Sequence, residues 1–539
     1  MAGKPADKPK EAAAKFPDAS ITKDWLARLD EARAQKSLVE ADLREAYFFT
    51  RPRMSRQVSS RSGNAFKKIE EDAAAELATS IGSEVSEDFA TEVIAAFFPP
   101  NTNWAESTAD AAILAGLEDA QIEEFKGVVK EADDKIFAAI RTSNFTSELG
   151  VALDPDAGVG TIGLWIDAPG AGRPYQVEHV PARELEFNVD PNGDPGDRFR
   201  VRHVRGDKLK SIIGNTAIKE KTREKIKRSP KTIIEVVWCF GRDWDKPEDD
   251  VYDHVLMVDK EAVHAAQLTG EGCLPLIIMR LSPDKLHSWG NGPAIKSLPD
   301  FRVLDVITAA TQDRVDIAIA PPIGYPDDGV LDFEGGIESG KAYPMRPGSG
   351  KDIAKLYFEG NADLGFYTAT DLERKIRRKF FADYPEQKGD TPPTATQWID
   401  EMVRAQRRIG TPGTKFWREG PYNIFRRFSY LLEKDGLLEP VTLNGSPVAL
   451  TPNNPATQAQ DNQKLQVASQ VLSMVKSYFP MTSQAAIDEL RTIEKIKTLM
   501  KDEIIVLRDA GVVEDLVRQV LTSAAPTPAG EGDASSPAA

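Results

Sequence analysis

The stretch from Pro299 to Pro326, PDFRVLDVITAATQDRVDIAIAPPIGYP, sets apolar residues at helical spacing and then stops at Pro321-Pro322. Pro299 suits the first helical position, where its fixed φ is pre-organised and its missing N–H costs nothing. The reading is a helix from Pro299 through Ala320. A passage of strand and loop punctuated by Gly and Pro follows, from Pro321 to Gly360, and a second helix is predicted from about Ala362 to Phe381. Two helices of similar length on either side of a small β excursion predict a projecting stalk with a tip.

Upstream, the pattern is of another kind. Between Thr161 and Arg280 short strands alternate with turn signals: TIGLWID, YQVEHV, LEFNVD, RFRVRHV, TIIEVVWCF, VYDHVLMV and LPLIIMRL. Asp190-Pro191-Asn192-Gly193-Asp194 is a strong hairpin signal among them. The block reads as a compact β-rich subdomain, about residues 155–285, set among helices. Ahead of it, Trp25, Leu29, Ala32, Val39, Leu43 and Tyr47 mark a helix from Lys23 to about Phe49, with Thr22 as a possible N-cap residue type. Further helices are predicted from about Ile69 to Phe98, ended by Pro99-Pro100, and from about Leu117 to Ile140. Downstream, 394–409 and 414–434 read as helices separated by Gly410-Thr411-Pro412-Gly413, then an extended stretch near 437–455. Amphipathic helices follow at 463–479, 482–499 and 501–521, the first with Leu465, Ala468, Leu472, Val475 and Phe479 on one face. Residues 1–21 and 523–539, rich in Ala, Pro, Gly and Ser, are expected to be loose tails.

The chain has 539 residues, 41% hydrophobic and 28% charged, as in soluble folded proteins. Its 68 Lys and Arg stand against 84 Asp and Glu, a formal charge of -16. A simple DNA-gripping domain has the opposite balance, because affinity comes from neutralising phosphates. A surface past which DNA slides without sticking is compatible with this charge. Two cysteines, Cys239 and Cys273, are too few for a disulfide framework and point to a reducing compartment. The first twenty residues lack the apolar core of a secretory signal, and no apolar run reaches membrane-spanning length; membrane partners are not expected.

Several motif-like patterns lack the context that their chemistry requires. Gly158, Gly160 and Gly163 spell a literal G-x-G-x-x-G, but a dinucleotide site needs a strand before it and a helix after it. Here Leu149 to Leu153 before it reads helical and Leu164-Trp165-Ile166 after it reads as strand, so a loop leading into a sheet is expected. Gly350-Lys351 lacks both the glycine five residues earlier, where Met345 stands, and the hydroxyl after the lysine, where Asp352 stands, so it cannot cradle a triphosphate. The five histidines, His179, His203, His254, His264 and His287, show no local metal-ligand spacing. Glu70-Glu71-Asp72 and Glu131-Asp133-Asp134 are expected on solvated helix faces. No catalytic, cofactor-binding or metal-ligating residues are assigned.

The order of these segments resembles the portal proteins, or head-to-tail connectors, of short-tailed bacteriophages (podoviruses). The likeness is carried by SNFTSELGVALDPDAGVGTIG at 143–163 and by Trp289-Gly290-Asn291-Gly292-Pro293-Ala294 followed by Leu298-Pro299-Asp300. It continues in DIAIAPPIGYP at 316–326 and in Thr394-Ala395-Thr396 through Arg408-Ile409-Gly410, and it covers about residues 23–520. The fold implied is α+β, mainly helical, with wing, stem, clip and crown regions around an axial channel. The wing would comprise 22–290 and 394–455, the stem helices 291–320 and 362–383, the clip 321–361, the channel loop 384–393 and the crown 456–522. Gly410-Thr411-Pro412-Gly413 and Pro421 depart from the pattern of one continuous wing helix.

What the resemblance implies about function is mechanical. Twelve copies would form a ring at one capsid vertex, in the virion at the head–tail junction after assembly in the host cytoplasm. Double-stranded DNA would pass through it, independently of base sequence, during packaging and ejection. The partners implied are the terminase large subunit, the major capsid and scaffold proteins, and tail adaptor or tail tube proteins. Candidate DNA-facing cations are Lys388 in the channel loop and Arg374, Lys375, Arg377, Arg378 and Lys379 on the second stem helix. For the latter the bland reading is a solvated face or pairing between subunits with acids such as Asp371 and Glu373. Candidate subunit-interface residues are Val303, Val306, Ile307, Val315, Ile317, Leu372 and Ile376, with an ordinary core within one chain as the alternative. Two readings from other classes are a phage-encoded DNA-processing enzyme such as a nuclease with dispersed carboxylates, and a capsid or scaffold protein.

Overall fold

The apolar stripe that begins at Trp25 does build a helix, α1, and in the computed structural model it runs Ala19–Thr50. The structure describes residues 16–58, 76–100, 102–108, 119–168, 173–214, 216–246, 250–283, 287–326, 341–345, 354–355, 362–382, 414–439, 442–443, 446–447, 449–452, 468–475, 492–493 and 496. Thr22 does not cap α1. Asp18 holds the N-cap position, and the Thr22 hydroxyl accepts the backbone N–H of Ala262 at 3.3 Å instead. At 1.5 Å per residue, 32 residues span about 48 Å, so α1 crosses two separate cores. Trp25, Leu29 and Ala32 pack on Phe199, Val201, Val237 and Met257. Val39, Leu43, Ala46, Tyr47 and Phe49 enter the main core.

The next helix, α2, covers Ile81–Phe97 and ends before Pro99-Pro100 as expected, but it starts later than the sequence suggested. Residues 77–80 are not helical, because the Ala78 N–H is drawn to the Asp305 carboxylate at 2.8 Å. After β1 (Ala105–Thr108) come α3 (Asp119–Thr142) and α4 (Phe145–Asp156). Asp133 corrects the expectation of a solvated acidic face. It is buried and accepts both the backbone N–H and the hydroxyl of Ser107, at 2.8 and 2.7 Å, tying α3 to β1. Glu131 pairs with Lys135 at 2.9 Å on the surface.

The β block forms two sheets. Strands β2 (Thr161–Asp167), β3 (Gln176–Val180), β4 (Leu185–Val189) and β5 (Pro195–Arg205) are followed by two short helices, α5 (Leu209–Ile213) and α6 (Glu220–Arg228). Then come β6 (Ile233–Arg242), β7 (Val251–Val258), β8 (Glu261–Thr269) and β9 (Leu276–Arg280). One antiparallel sheet has the order β3-β2-β9 and the other the order β4-β5-β6-β7-β8. The Asp190–Asp194 turn joins β4 to β5, as its residues predict. Strand β8 escaped the sequence reading because EAVHAAQLT carries little β-branched character, and its pairing to β7 decides its state.

Helix α7 spans Pro293–Ile319, and here the sequence reading is corrected: Pro293, not Pro299, occupies the first turn. Pro299 lies inside the helix, where its missing N–H forgoes the hydrogen bond to the Ile295 carbonyl. Strands β10 (Ile323–Pro326), β11 (Ala342–Met345) and β12 (Ala354–Lys355) form a small sheet of order β11-β10-β12. Helix α8 spans Ala362–Lys379. A helical run from 414 passes through Pro421 by a π-turn at Arg418–Tyr422 and continues as α9, Asn423–Lys434. Short strands β13 (Thr442–Leu443), β14 (Ser446–Pro447) and β15 (Ala449–Pro452) follow, and β15 pairs with β1.

These elements belong to one compact unit, Met1–Asn454; a second comprises Pro455–Ala539. In the second unit, residues 468–475 are helical, within the first of the three predicted amphipathic segments. Lys388, Gly350-Lys351, Glu70-Glu71-Asp72, residues 384–409 and Gly410-Thr411-Pro412-Gly413 lie outside the described residues.

At the root of α7 backbone meets backbone. Gly292 N–H donates to the Val159 carbonyl at 3.0 Å, Ala294 N–H to Gly158 at 2.8 Å, and Leu281 N–H to Gly160 at 2.8 Å. A Cβ on Gly292 would lie 2.3 Å from the Gly158 oxygen, and one on Gly290 would lie 2.0 Å from the Gly160 oxygen. Gly160 also has φ +102°, a conformation that side chains resist. Gly158 and Gly160 of the literal G-x-G-x-x-G are therefore half of a glycine clasp, with 290–292 as the other half, while Gly163 faces Val180 and Leu185.

Gly292→Ala is expected to destabilise by at least about 2 kcal/mol through this overlap. Gly150→Ala in α4, where a Cβ meets nothing within 4 Å, is expected to stabilise by about 0.4–1 kcal/mol. Paired thermal melts of the two variants check both signs; equal Tm values for Gly292→Ala and wild type would remove the clasp from the account.

Candidate nucleic-acid and subunit surfaces

Along α7 the surroundings change from core to solvent. Pro293, Ala294, Ser297, Leu298, Phe301 and Leu304 are buried; beyond them in the helix only Thr311 is. Phe301 stacks on Phe49 at 5.2 Å and meets Phe380 edge-on at 6.1 Å. From α8, Leu372, Ile376 and Phe380 enter the same core. Two of the candidate interface residues, Leu372 and Ile376, are packed in the core of their own chain, 9% and 0% exposed. They face the α7 root, whereas the residues predicted beside them do not.

Val303 and Val306 lie opposite that buried face, 49% and 68% exposed. With Ala310 and Ile317 they fall on one stripe of α7 by the 3.6-residue period. Ile307, Val315 and Ile317 are half-buried. Ile319 on α7 and Tyr367 on α8 are each 77% exposed. The two helices meet closely once more at Thr311, whose hydroxyl lies 2.6 Å from where a Gly365 Cβ would stand. A cleft of about 370 Å³ between them is lined by Gln312, Val315, Asp316, Ala369 and Glu373 among others.

The cations of α8 divide into two groups. Lys375 pairs with Asp371 at 2.8 Å, Arg377 with Glu84 at 2.9 Å, and Lys379 with Asp300 at 2.5 Å and with the Lys296 carbonyl at 3.0 Å. The hydrogen bond and charge of Lys375 hold the Asp371 carboxyl below its ordinary value. Arg374 and Arg378 are exposed and, among the described residues, make no ion pair. Three members of the run therefore fasten α8 to α2 and α7 or to itself.

Buried charges elsewhere were missed by the sequence reading. Arg280 donates from Nε to Glu419 at 3.0 Å, from one terminal nitrogen to Glu419 at 2.5 Å and to Gly193 at 2.8 Å, and from the other to Ser288 at 2.9 Å. The π-turn around Pro421 aims Glu419 at this strand end. Burial pushes the Glu419 carboxyl above its ordinary value despite Arg280. Lys36 donates to the Ala182 and Leu185 carbonyls at 2.5 and 3.0 Å and lies 3.3 Å from Glu186. Signals existed for both: Arg280 ends an apolar strand, and Lys36 occupies the buried stripe of α1 between Ala32 and Val39.

A third buried cluster joins α1, α4 and β3. The Tyr47 hydroxyl donates to Asp156 at 2.7 Å, and His179 Nε2 lies 2.8 Å from the other Asp156 oxygen. Burial favours the neutral imidazole, but the charge of Asp156 and its hydrogen bond outweigh it, so the His179 pKa is raised. His254 stacks on Phe240 at 4.6 Å, and burial lowers its pKa. Among the described residues no group of three or more His, Cys, Asp or Glu could hold a metal ion, and no helix is long and apolar enough to cross a membrane.

Residues 22–501 match the model of the family described as "Bacteriophage head to tail connecting protein". No curated protein matches the chain. Among solved structures, a chain of "Virion of native gene transfer agent (GTA) particle" is 12% identical with a TM-score of 0.35, covering 73% of this chain and 86% of that one. A chain of "Neck of empty GTA particle computed with C6 symmetry" is 13% identical with a TM-score of 0.35, covering 78% and 90%. One of "Neck of native GTA particle computed with C12 symmetry" is 16% identical with a TM-score of 0.29, covering 71% and 84%.

The raised His179 pKa sets a sign for stability. Its contribution is complete below the ordinary histidine value and is lost as pH rises through the folded value. The stability difference between wild type and His179→Gln is therefore expected to shrink from pH 6 to pH 9, which chemical denaturation at several pH values measures. His254 is present in both proteins and cancels. A difference that grows with pH would contradict the Asp156 pairing.

Proposed function

The chain belongs to the family of bacteriophage head to tail connecting proteins, a structural and not an enzymatic family, and from that premise we propose that it is the portal of a short-tailed phage. Twelve copies close into a ring at one capsid vertex, the site of DNA packaging, genome ejection and tail attachment. The observation that carries the reading is the passage of α7 from buried to exposed. Its first half is rooted in the core, while Val303 and Val306 face outward on a stripe that one chain leaves uncovered. Apolar stripes of this kind favour burial against a second copy, and head-to-tail contacts that close make rings.

In this assignment α7 and α8 are the stem, the segment 321–361 is the clip, 384–393 the channel loop, 22–290 with 394–455 the wing, and 456–522 the crown. The clip engages the packaging motor, the terminase large subunit, and later the tail adaptors; the wing and crown meet capsid and scaffold proteins. The acidic balance of -16 supports weak, sequence-independent contact with passing DNA, since a densely basic bore would hold it. Arg374 and Arg378, exposed and without an ion pair among the described residues, and Lys388 are the cations assigned to the bore.

Purified protein is expected to form closed rings near twelve subunits by electron microscopy and native mass spectrometry. Val303→Asp with Val306→Asp is expected to yield folded monomers, because both positions are solvent-facing in one chain and substitution there leaves the core intact. Wild-type protein that stays monomeric at every concentration would overturn the proposal. Lys388→Ala is expected to form normal rings yet alter DNA packaging or retention in infected cells; normal packaging would exclude it from the bore.

A further inference from the structure

Residues 205–231 carry ten Lys and Arg against three acids, in a chain whose overall charge is -16. This segment holds α5 and α6, and its apolar side chains are turned inward: Leu209 and Ile213 are buried, and Ile212, Ile218 and Ile226 pack on the same cluster at the end of β5 and β6. Asp207 N–H donates to the Pro230 carbonyl at 2.8 Å and Gly206 N–H to Thr232 at 2.8 Å, which brings Lys208 and Lys231 to one edge. Five of the ten cations are paired: Arg205 with Asp207, Lys219 with Glu261, Arg223 with Glu220, Lys225 with Asp259 and Arg228 with Glu224. Lys208, Lys210, Lys221, Lys227 and Lys231 are exposed and, among the described residues, make no ion pair.

We propose that this lysine surface of the β-rich region binds the phosphate backbone of duplex DNA, independently of sequence and apart from the α7–α8 hairpin. The alternative to be weighed is a solvated face, the usual fate of a charge run. Against it stands the density: five exposed lysines between 208 and 231 make no ion pair among the described residues in an otherwise acidic protein, against two arginines on α8, where Lys375, Arg377 and Lys379 are paired.

The kind of partner follows from what the surface lacks. No large hydrophobic residue between Val189 and Ile233 is among the exposed ones. Protein interfaces are built around apolar, aromatic and Arg anchors and are depleted in Lys, and membrane-surface segments carry apolar anchors beside their cations. A lysine surface without an anchor suits phosphates, where affinity comes from counterion release and needs no pocket. The nine residues of α6 extend about 13.5 Å, a length over which duplex DNA carries about eight phosphates. The proposal is separate from ring formation and stands or falls without it.

The test is fluorescence anisotropy of the full-length protein with a labelled duplex of arbitrary sequence between 50 and 200 mM salt. Lys208, Lys210, Lys221, Lys227 and Lys231 are changed together to Gln, and a second variant carries Arg374→Gln and Arg378→Gln. The five-lysine variant is expected to bind at least tenfold more weakly at the lowest salt, with a salt dependence shallower by about 4 on the log–log slope. The Arg374 and Arg378 variant is expected to lower the slope by about 2 at most, the share of two bore cations, and so by less than the five-lysine variant does. Should the five-lysine variant not fold, Lys221→Gln and Lys227→Gln singly are each expected to reduce the slope by about 0.9. The proposal fails if the lysine variants bind as wild type does, or if binding is lost only in the α8 variant. It fails too if the lysine changes abolish binding to phosphatidylserine vesicles or alter the sedimenting mass while leaving duplex affinity untouched. Those last two outcomes would assign the surface to a membrane or to a second copy of the chain.

Discussion

Backbone touches backbone where Gly158–Gly160 meets Gly290–Gly292, and the placement of α7 follows from that contact. The carbonyls of Gly158, Val159 and Gly160 accept N–H groups from Ala294, Gly292 and Leu281. Such an approach is open only to residues without a Cβ. It joins the end of α4 and the start of β2 to the first turn of α7, and the helix leaves the core from there. Trp289, fully buried beside the clasp, packs on Phe187 at 5.3 Å and lies beneath the Lys36 ammonium. The long helix α1 is thus referred to the same point as the stalk.

Charge is sorted in this molecule by depth. Inside, Lys36, Arg280 and Arg427 act as multidentate donors that fix strand ends and turns. Arg427 reaches the Ile166 carbonyl at 3.0 Å and the Cys273 carbonyl at 2.7 Å. Removing one partner of such a group costs about 3–5 kcal/mol, since the other is left buried and uncompensated. At the surface, most pairs are exposed and worth about 0–1 kcal/mol. They orient helices, as Arg377 and Lys379 do for α8, rather than hold the fold together. Two arginines on α8 and five lysines around α5 and α6 are among the exposed cations that make no ion pair within the described residues, and so are charge available to another molecule.

The connector reading and the physical gradient along α7 support one another. A helix rooted by Phe301 and Leu304 whose far face is left bare is an awkward feature in a monomer, because Val303 and Val306 gain nothing from water. In a ring it is the natural element for contact between copies. The same gradient explains why Leu372 and Ile376 are buried within one chain: they sit on α8 at the level where α7 is still inside the core.

Local pattern in the chain was enough for the helices at 19–50, 119–142 and 362–379, the hairpin at Asp190–Asp194, and seven of the eight strands in the β block. Each of these is written in spacing and turn chemistry within a few residues. The glycine-rich segment was also legible as a loop, through the absence of a strand before it and a helix after it. Partners distant in sequence were not legible: the clasp, the Arg280–Glu419 pair, the Tyr47–Asp156–His179 cluster, and the start of α7 at Pro293 instead of Pro299. A glycine or a lysine has the same local signature whether its neighbour is water or a backbone 130 residues away, so only the packed chain could decide which it meets.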